Sequence, residues 1–173
     1  MIRKIFILMG LLSIFGCKNH APLSTVDNVD LEKYAGKWYE IAAFPQRFQK
    51  GCECTTAEYE LTSKGYVKVI NRCKKPDGWD KAEGKAFVQE GTNNTKLKVQ
   101  FFWPFKGKYW IIGLADDYSW AVVGHPNREY LWILSRSPKM KDGTYESILQ
   151  MVQNKGFDTS KLKVTKHDCE EDY

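Results

Sequence analysis

Eight short runs of alternating polarity follow one another between Trp38 and Arg136: Trp38 to Ala43, Thr55 to Leu61, Tyr66 to Arg72, Asp80 to Val88, Lys96 to Phe102, Lys108 to Leu114, Trp120 to His125 and Tyr130 to Arg136. Alternation at every second residue puts the apolar side chains of a run on one face of a pleated strand. The links between runs are short and built from turn residues: Ser63-Lys64-Gly65, Pro76-Asp77-Gly78, Gly91-Thr92-Asn93-Asn94, Pro104 to Gly107, Ala115-Asp116-Asp117 and Pro126-Asn127. Short links join antiparallel neighbours, because parallel strands need crossovers of a dozen residues or more. Strands of this kind bury their apolar faces together by curling into a cylinder. The sequence therefore predicts an all-β fold, an eight-stranded antiparallel up-and-down barrel. Aromatic residues are 14% of the chain and fall mostly in these runs, which favours a shell lined by large rings.

After Ser137-Pro138 the period changes. Tyr145, Ile148, Leu149 and Val152 recur at i, i+3, i+4 and i+7, the spacing of one helix face, with Asp142 as N-cap and Gly156 as the C-terminal stop. The apolar stripe of this C-terminal α-helix needs a partner, and the outside of the barrel is the surface at hand. Val29 to Tyr34 reads as one short helical turn before Gly36.

The first sixteen residues lie outside this plan. Arg3 and Lys4 precede an apolar stretch, Ile5 to Phe15, that is much shorter than the ~20 residues needed to cross a bilayer, so residues 1–16 read as a secretory signal. The stretch ends Ile14-Phe15-Gly16-Cys17, which resembles a bacterial lipoprotein cleavage box. Two or three acyl chains on Cys17, at ~0.8 kcal/mol per buried methylene, would hold the chain stably to a membrane. An ordinary signal peptide followed by an incidental cysteine is the alternative. Lys18 follows in place of Asp; by resemblance to lipoprotein sorting in Gram-negative cells, this implies a lipid anchor in the outer membrane, facing the periplasm. Residues 17–28 read as a tether, since Lys18 to Asn28 is polar and aperiodic and could stretch to at most ~40 Å. Residues 29–173 then form the barrel domain.

Loss of Arg3 and Lys4 lowers the formal charge from +5 to +3. No basic cluster interleaved with aromatics accompanies it, so nucleic acid is not an expected partner. Apart from Cys17 the cysteines are Cys52, Cys54, Cys73 and Cys169, an even set that in an exported chain reads as two disulfides. There is no Cys-x-x-Cys pair to suggest zinc or redox chemistry. A two-residue turn at Ser63-Lys64 would set Cys54 opposite Cys73.

Three distant stretches complete the pattern. Gly36-Lys37-Trp38-Tyr39-Glu40 opens the first strand, Asp117-Tyr118 precedes the seventh, and Arg136 ends the eighth. In a closed barrel the first and last strands are neighbours, so Arg136 can lie on the Trp38 indole as a cation-π contact worth about 0.5–2 kcal/mol. This set resembles the three signature regions of the lipocalins, with Gly36, Trp38, Asp117, Tyr118 and Arg136 as barrel-closure residues. The likeness spans nearly all of Val29 to Val164. It includes Glu83-Gly84-Lys85-Ala86, Tyr130-Leu131-Trp132-Ile133-Leu134-Ser135-Arg136 and Lys155-Gly156-Phe157-Asp158, in the wording of the outer-membrane bacterial lipocalins and their apolipoprotein D relatives. Cys52, Cys54 and Cys73, and Ala115-Asp116-Asp117 where many relatives carry Thr-Asp, depart from the common pattern. For the cysteines the resemblance implies Cys54 with Cys169 and Cys52 with Cys73.

The resemblance implies a calyx, plugged at one end and open at the other to an apolar cavity. Alternation counted from Trp38 and Ala57 points Ala57, Tyr59, Val67, Val69, Asn71, Ala86, Leu97, Val99, Phe101, Tyr109, Ile111, Tyr130, Trp132 and Leu134 inward. All but Leu97 and Leu134 form the expected ligand-binding set, and Leu134, near the plug, is expected to be core filling. The implied partners are a fatty acid or lysophospholipid and a membrane reached through Cys17, for a monomer or weak homodimer that binds, stores or transports hydrophobic ligands in envelope maintenance or stress response. Tyrosine hydroxyls and Asn71 can hydrogen-bond a carboxylate or glycerol head. No cofactor or metal is implied.

A catalytic role is not expected. The histidines are His20, His125 and His167, none in a triad or dyad spacing; His125 could be imagined beside Glu129 or a free Cys52, but a solvated imidazole next to Pro126 is the simpler reading. A lipocalin-fold enzyme acting on a hydrophobic substrate, and a filled barrel with a structural role, are the alternatives. Asn93-Asn94-Thr95 matches a glycosylation sequon and reads here as turn residues.

Overall fold

The computed structural model describes residues 21–170. The signal segment, Cys17 and His20 lie outside these residues. The strands are β1 (Gly36–Ala43), β2 (Glu53–Leu61), β3 (Val67–Lys75), β4 (Gly78–Val88), β5 (Lys96–Gln100), β6 (Gly107–Leu114), β7 (Trp120–Gly124), β8 (Leu131–Ser135) and a short β9 (Lys163–Val164). From β1 to β8 each strand pairs antiparallel with the next, and β8 pairs back with β1, so the barrel is closed. α1 (Leu31–Tyr34) precedes β1, and α2 (Asp142–Asn154) follows β8.

Alternation separates two apolar layers. Inside the barrel, Trp38, Tyr59, Val67, Val69, Ala86, Leu97, Ile111, Val123 and Leu134 form one cluster. The opposite faces of β1, β6, β7 and β8 contribute Ile41, Ile112, Val122, Leu131 and Ile133, which pack with Ile148 and Val152 of α2 and with Phe157. The outer wall thus covers the helix stripe. Asp142 is the first helical residue, one position inside the N-cap expected of it, and Lys141 stands at the cap without a side-chain bond.

One end of the barrel is closed by Arg136 and Trp38. Gly36 takes φ +91°, a conformation that side chains other than glycine's rarely adopt, and this turns the chain from α1 into β1. Trp38 is fully buried, and its Nε1 donates to the Tyr34 carbonyl at 2.8 Å. The Arg136 guanidinium carbon lies 3.8 Å from the centre of the Trp38 ring. Its Nη1 donates to the Lys37 carbonyl at 2.8 Å, and its Nη2 to those of Lys33 and Ala35 at 2.7 and 2.9 Å. Tyr118, itself at φ +58°, accepts the Asp30 backbone N–H on its hydroxyl at 2.9 Å. Asp117 instead stays within its own turn, where its carboxylate accepts the Ser119 N–H at 3.0 Å.

The β2–β3 register corrects one expectation. The pairs run Leu61 with Val67 to Thr56 with Arg72, one residue off the alignment a two-residue turn would impose. The connection is five residues long: Thr62 Oγ1 donates to the Tyr66 carbonyl and Gly65 sits at φ +77°. A bulge between Glu53 and Thr56, with Cys54 at φ +51°, then diverts the start of β2. Cys54 therefore does not face Cys73. The disulfides are Cys52–Cys73 and Cys54–Cys169. Where β2 leaves β1, the C-terminal tail takes its place: β9 pairs with Ala42 and Ala43, and the Cys54 N–H donates to the Lys166 carbonyl at 2.8 Å.

The segment read as a tether is not loose from residue 21 onward. Leu23 is buried, Val26 N–H donates to the Ile111 carbonyl at 3.1 Å, and the Lys155 ammonium reaches Ser24 Oγ at 2.7 Å.

Trp38→Ala removes the largest side chain of the closed end from a fully buried site. It is expected to lower unfolding free energy by about 3–5 kcal/mol in urea titrations. An unchanged midpoint would mean that the indole does not hold this end.

Candidate functional site

Filling the interior at the Trp38 end leaves the other end hollow. A cavity of about 450 Å³ opens between the β1–β2, β5–β6 and β7–β8 connections, within the roughly 300–1,000 Å³ usual for small-molecule sites. Ala57, Tyr59, Val69, Asn71, Val99, Phe101, Tyr109, Tyr130 and Trp132 of the sequence-derived set line it. Val67, Ala86 and Ile111 do not. They are buried in the inner cluster with Trp38, and Val67 and Ala86 pair with one another on the closed-end halves of β3 and β4, where side chains fill the lumen. Leu97 is likewise core. Leu134, expected to be filling alone, reaches the cavity wall.

Sequence reasoning did not assign Glu40, Phe48, Gln49, Thr55, Thr56, Phe102, Phe105, Gly107, Lys108 or His125 to the cavity, which they also line. For Glu40 the signal was present, since it stands two residues from Trp38 and so on the same face of β1. Phe48, Gln49, Phe102, Phe105 and His125 sit in connections and Thr55 and Thr56 beside the β2 bulge, where alternation gives no direction, and Gly107 and Lys108 open β6 at the mouth.

Polar groups are placed at few points. At the floor, Tyr109 Oη lies 2.8 Å from the hydroxyls of both Tyr34 and Tyr59. Three hydroxyls sharing two hydrogen bonds leave one O–H over, and Tyr59 and Tyr109 both face the cavity. Burial pushes the Tyr59 phenol up to about 12, and pushes Tyr34 and Tyr109 up as well, so the cluster is neutral and offers a donor. Higher on the wall, Asn71 Oδ1 and Thr55 Oγ1 are buried without a hydrogen-bond partner among the described residues. Such atoms are costly to leave unpaired in an apolar surround.

Near the mouth a chain of side chains ties the wall to the C-terminal tail. Trp132 Nε1 donates to Gln49 Oε1 at 3.3 Å, and Gln49 Nε2 donates to Glu40 Oε2 at 2.7 Å. Thr165 Oγ1 donates to Glu40 Oε1 at 2.7 Å. Burial holds the Glu40 carboxyl above its usual value, against the lowering effect of these donors. His125 Nδ1 is 2.5 Å from Asn127 Oδ1, and burial lowers its pKa. Cys52 is held in its disulfide, so it offers no thiol to pair with His125.

The lipocalin-like domain family matches residues 29–167 of this chain. The chain belongs to the lipocalins. Among its relatives, the outer membrane lipoprotein Blc of Escherichia coli K12 is 41% identical over 154 residues, covering 86% of this chain and 87% of that protein. Bovine apolipoprotein D is 30% identical, covering 95% of each. Among solved structures, insecticyanin from the tobacco hornworm Manduca sexta superposes with a TM-score of 0.70 at 24% identity, over 88% of this chain and 87% of that one, a likeness of fold alone. The lipocalin barrel here is closed at one end and hollow at the other.

Because the Glu40 carboxyl titrates higher in the folded than in the unfolded chain, its favourable contribution is complete below about 4.5 and is lost as pH rises through its folded value. Glu40→Gln removes that titration. The stability of the natural protein relative to this variant is therefore expected to fall in urea titrations as pH rises above about 4.5, and a rise would mean that the Gln49 and Thr165 bonds outweigh burial.

Proposed function

We propose that this lipocalin is anchored to the outer membrane through Cys17 and binds, stores or transports fatty acids or lysophospholipids in envelope maintenance or stress response, and that it is a binding protein with no catalytic step. The observation that carries this reading is the cavity itself: apolar walls from Val69, Val99, Phe101, Trp132 and Leu134, with a few polar atoms at fixed places. Twelve methylenes at ~0.8 kcal/mol each give up to about 10 kcal/mol before the losses of association, enough for micromolar binding of an acyl chain. The spare hydroxyl of the tyrosine cluster can donate to a carboxylate or ester, and Asn71 Oδ1 and Thr55 Oγ1 can accept from a glycerol hydroxyl. The name of the Escherichia coli relative, an outer membrane lipoprotein, supports the location.

Titration with a fluorescent fatty acid tests the cavity reading. Saturable binding, displaced by lysophospholipid, is expected for the natural chain, and a flat titration would leave a barrel without cargo. Ala57 is small and faces the lumen. Ala57→Trp is expected to fill that space and weaken binding at least tenfold, a change of about 1.4 kcal/mol or more.

The anchor is tested separately. Cells expressing the chain are expected to incorporate a palmitate analogue into it, and Cys17→Ala is expected to abolish the label. Label retained in that variant would place the acyl group elsewhere.

A further inference from the structure

Four large rings stand in solvent around the mouth: Phe48, Phe102, Trp103 and Phe105, each between 66% and 87% exposed. Phe48, Phe102 and Phe105 also line the cavity, so its apolar wall continues over the rim. The connections that carry these rings, 44–52 and 101–106, contain Arg47, Lys50 and Lys106 and no acidic residue. A scattered apolar side chain needs no explanation, but a cluster of rings edged by cations marks a contact surface.

The path of the segment before α1 points the same way. Arg128, in the β7–β8 connection at the mouth, donates from Nη2 to the Ala21 carbonyl at 2.7 Å. From there the chain passes the Lys155–Ser24 and Val26–Ile111 contacts, and the Val29 N–H donates to the Asn93 carbonyl in the β4–β5 connection at the closed end. Residues 21–29 thus run down the outer wall from mouth to closed end. Cys17 precedes Ala21 by four residues, a reach of at most about 14 Å. The eleven-residue β4 is about 33 Å long, so that reach does not carry an acyl group on Cys17 to the far end.

We propose that the barrel docks mouth-down on the bilayer that holds its anchor. Phe48, Phe102, Trp103 and Phe105 enter the interfacial layer, where aromatic rings are favoured, and Arg47, Lys50 and Lys106 meet anionic headgroups. The cavity then opens onto the lipid leaflet, and an acyl chain passes between leaflet and barrel without crossing water. This rests on the reading of Cys17 as acylated, so its test supplies the anchor independently of the cell.

Mature protein, with its other four cysteines in disulfides, is coupled at Cys17 to maleimide-bearing phosphatidylethanolamine and placed in vesicles of phosphatidylethanolamine and phosphatidylglycerol containing phosphatidylcholine brominated in the acyl chains. Bromine quenches tryptophan only on close approach. Quenching of the natural protein is expected, with most of it lost in Trp103→Gln, a change at an exposed site outside the core. Adding Lys64→Trp to that variant puts an indole in the closed-end β2–β3 connection, and it is expected to stay unquenched. Quenching that Trp103→Gln does not change, quenching of the closed-end indole, or vesicle-bound protein with no quenching would each overturn the proposal. So would sedimentation showing that a second copy covers the rings. If palmitate labelling fails while the quenching pattern holds, the anchor reading falls and the docking surface stands.

Discussion

A single guanidinium ties together the closed end of this barrel. Arg136 follows the last strand of the cylinder, sits over the Trp38 indole and donates to carbonyls on both sides of Gly36. These carbonyls belong to the end of α1 and the first residues of β1, where backbone acceptors lack the usual partners of a helix or ladder. Arginine is suited to the task because its planar fork offers five donors while its face stacks on a ring. Cost and gain are coupled here, since burial disfavours the charge and the carbonyls together with the indole offset it.

With that end shut, the remaining interior divides by position along the strands. Val67, Ala86 and Ile111 fill the lumen in the cluster with Trp38, whereas Ala57, Val69 and Trp132 line the cavity. Tyr34 sits at the boundary. Its ring packs 5.0 Å from that of Trp38, and its hydroxyl joins the cluster that forms the cavity floor. The same element that plugs the barrel therefore supplies the polar spot against which a ligand would rest.

The sequence made the barrel legible because period-two alternation and turn chemistry repeat eight times, and one misjudged turn does not disturb the others. The closing pair was legible because a closed sheet makes its first and last strands neighbours, whatever their details. Register was not. A loop of five residues with Gly65 in a left-handed conformation and a two-residue turn look alike in sequence, and the difference moved Cys54 away from Cys73. The depth of each inward residue was also hidden, because alternation gives a side and not a height, which is why Val67 and Leu134 exchanged roles. Loop residues such as Phe102 and Gln49 carry no periodic signal, and the run from Leu23 to Asn28 is held by scattered contacts, the buried Leu23, Ser24 Oγ with Lys155 and the Val26 N–H on the Ile111 carbonyl, which have no period either.

The covalent links sit where packing is weakest. At the closed end, rings and branched side chains meet in the lumen, and burial at roughly 25 cal/mol per Å² suffices to hold the strands. At the mouth the lumen is hollow, and β2 swings away from β1 at its bulge. Both disulfides lie there. Cys52–Cys73 fastens the β1–β2 connection to β3, and Cys54–Cys169 fastens the tail that replaces β2 beside β1. A cross-link of this kind contributes typically about 2–4 kcal/mol by restricting the unfolded chain, without placing any side chain in the lumen. Filling the mouth with core residues would stabilise the same strands but remove the cavity. The position of the cysteines is thus the solution available to a barrel that must stay hollow at one end, and it leaves the rings on the rim free to face outward.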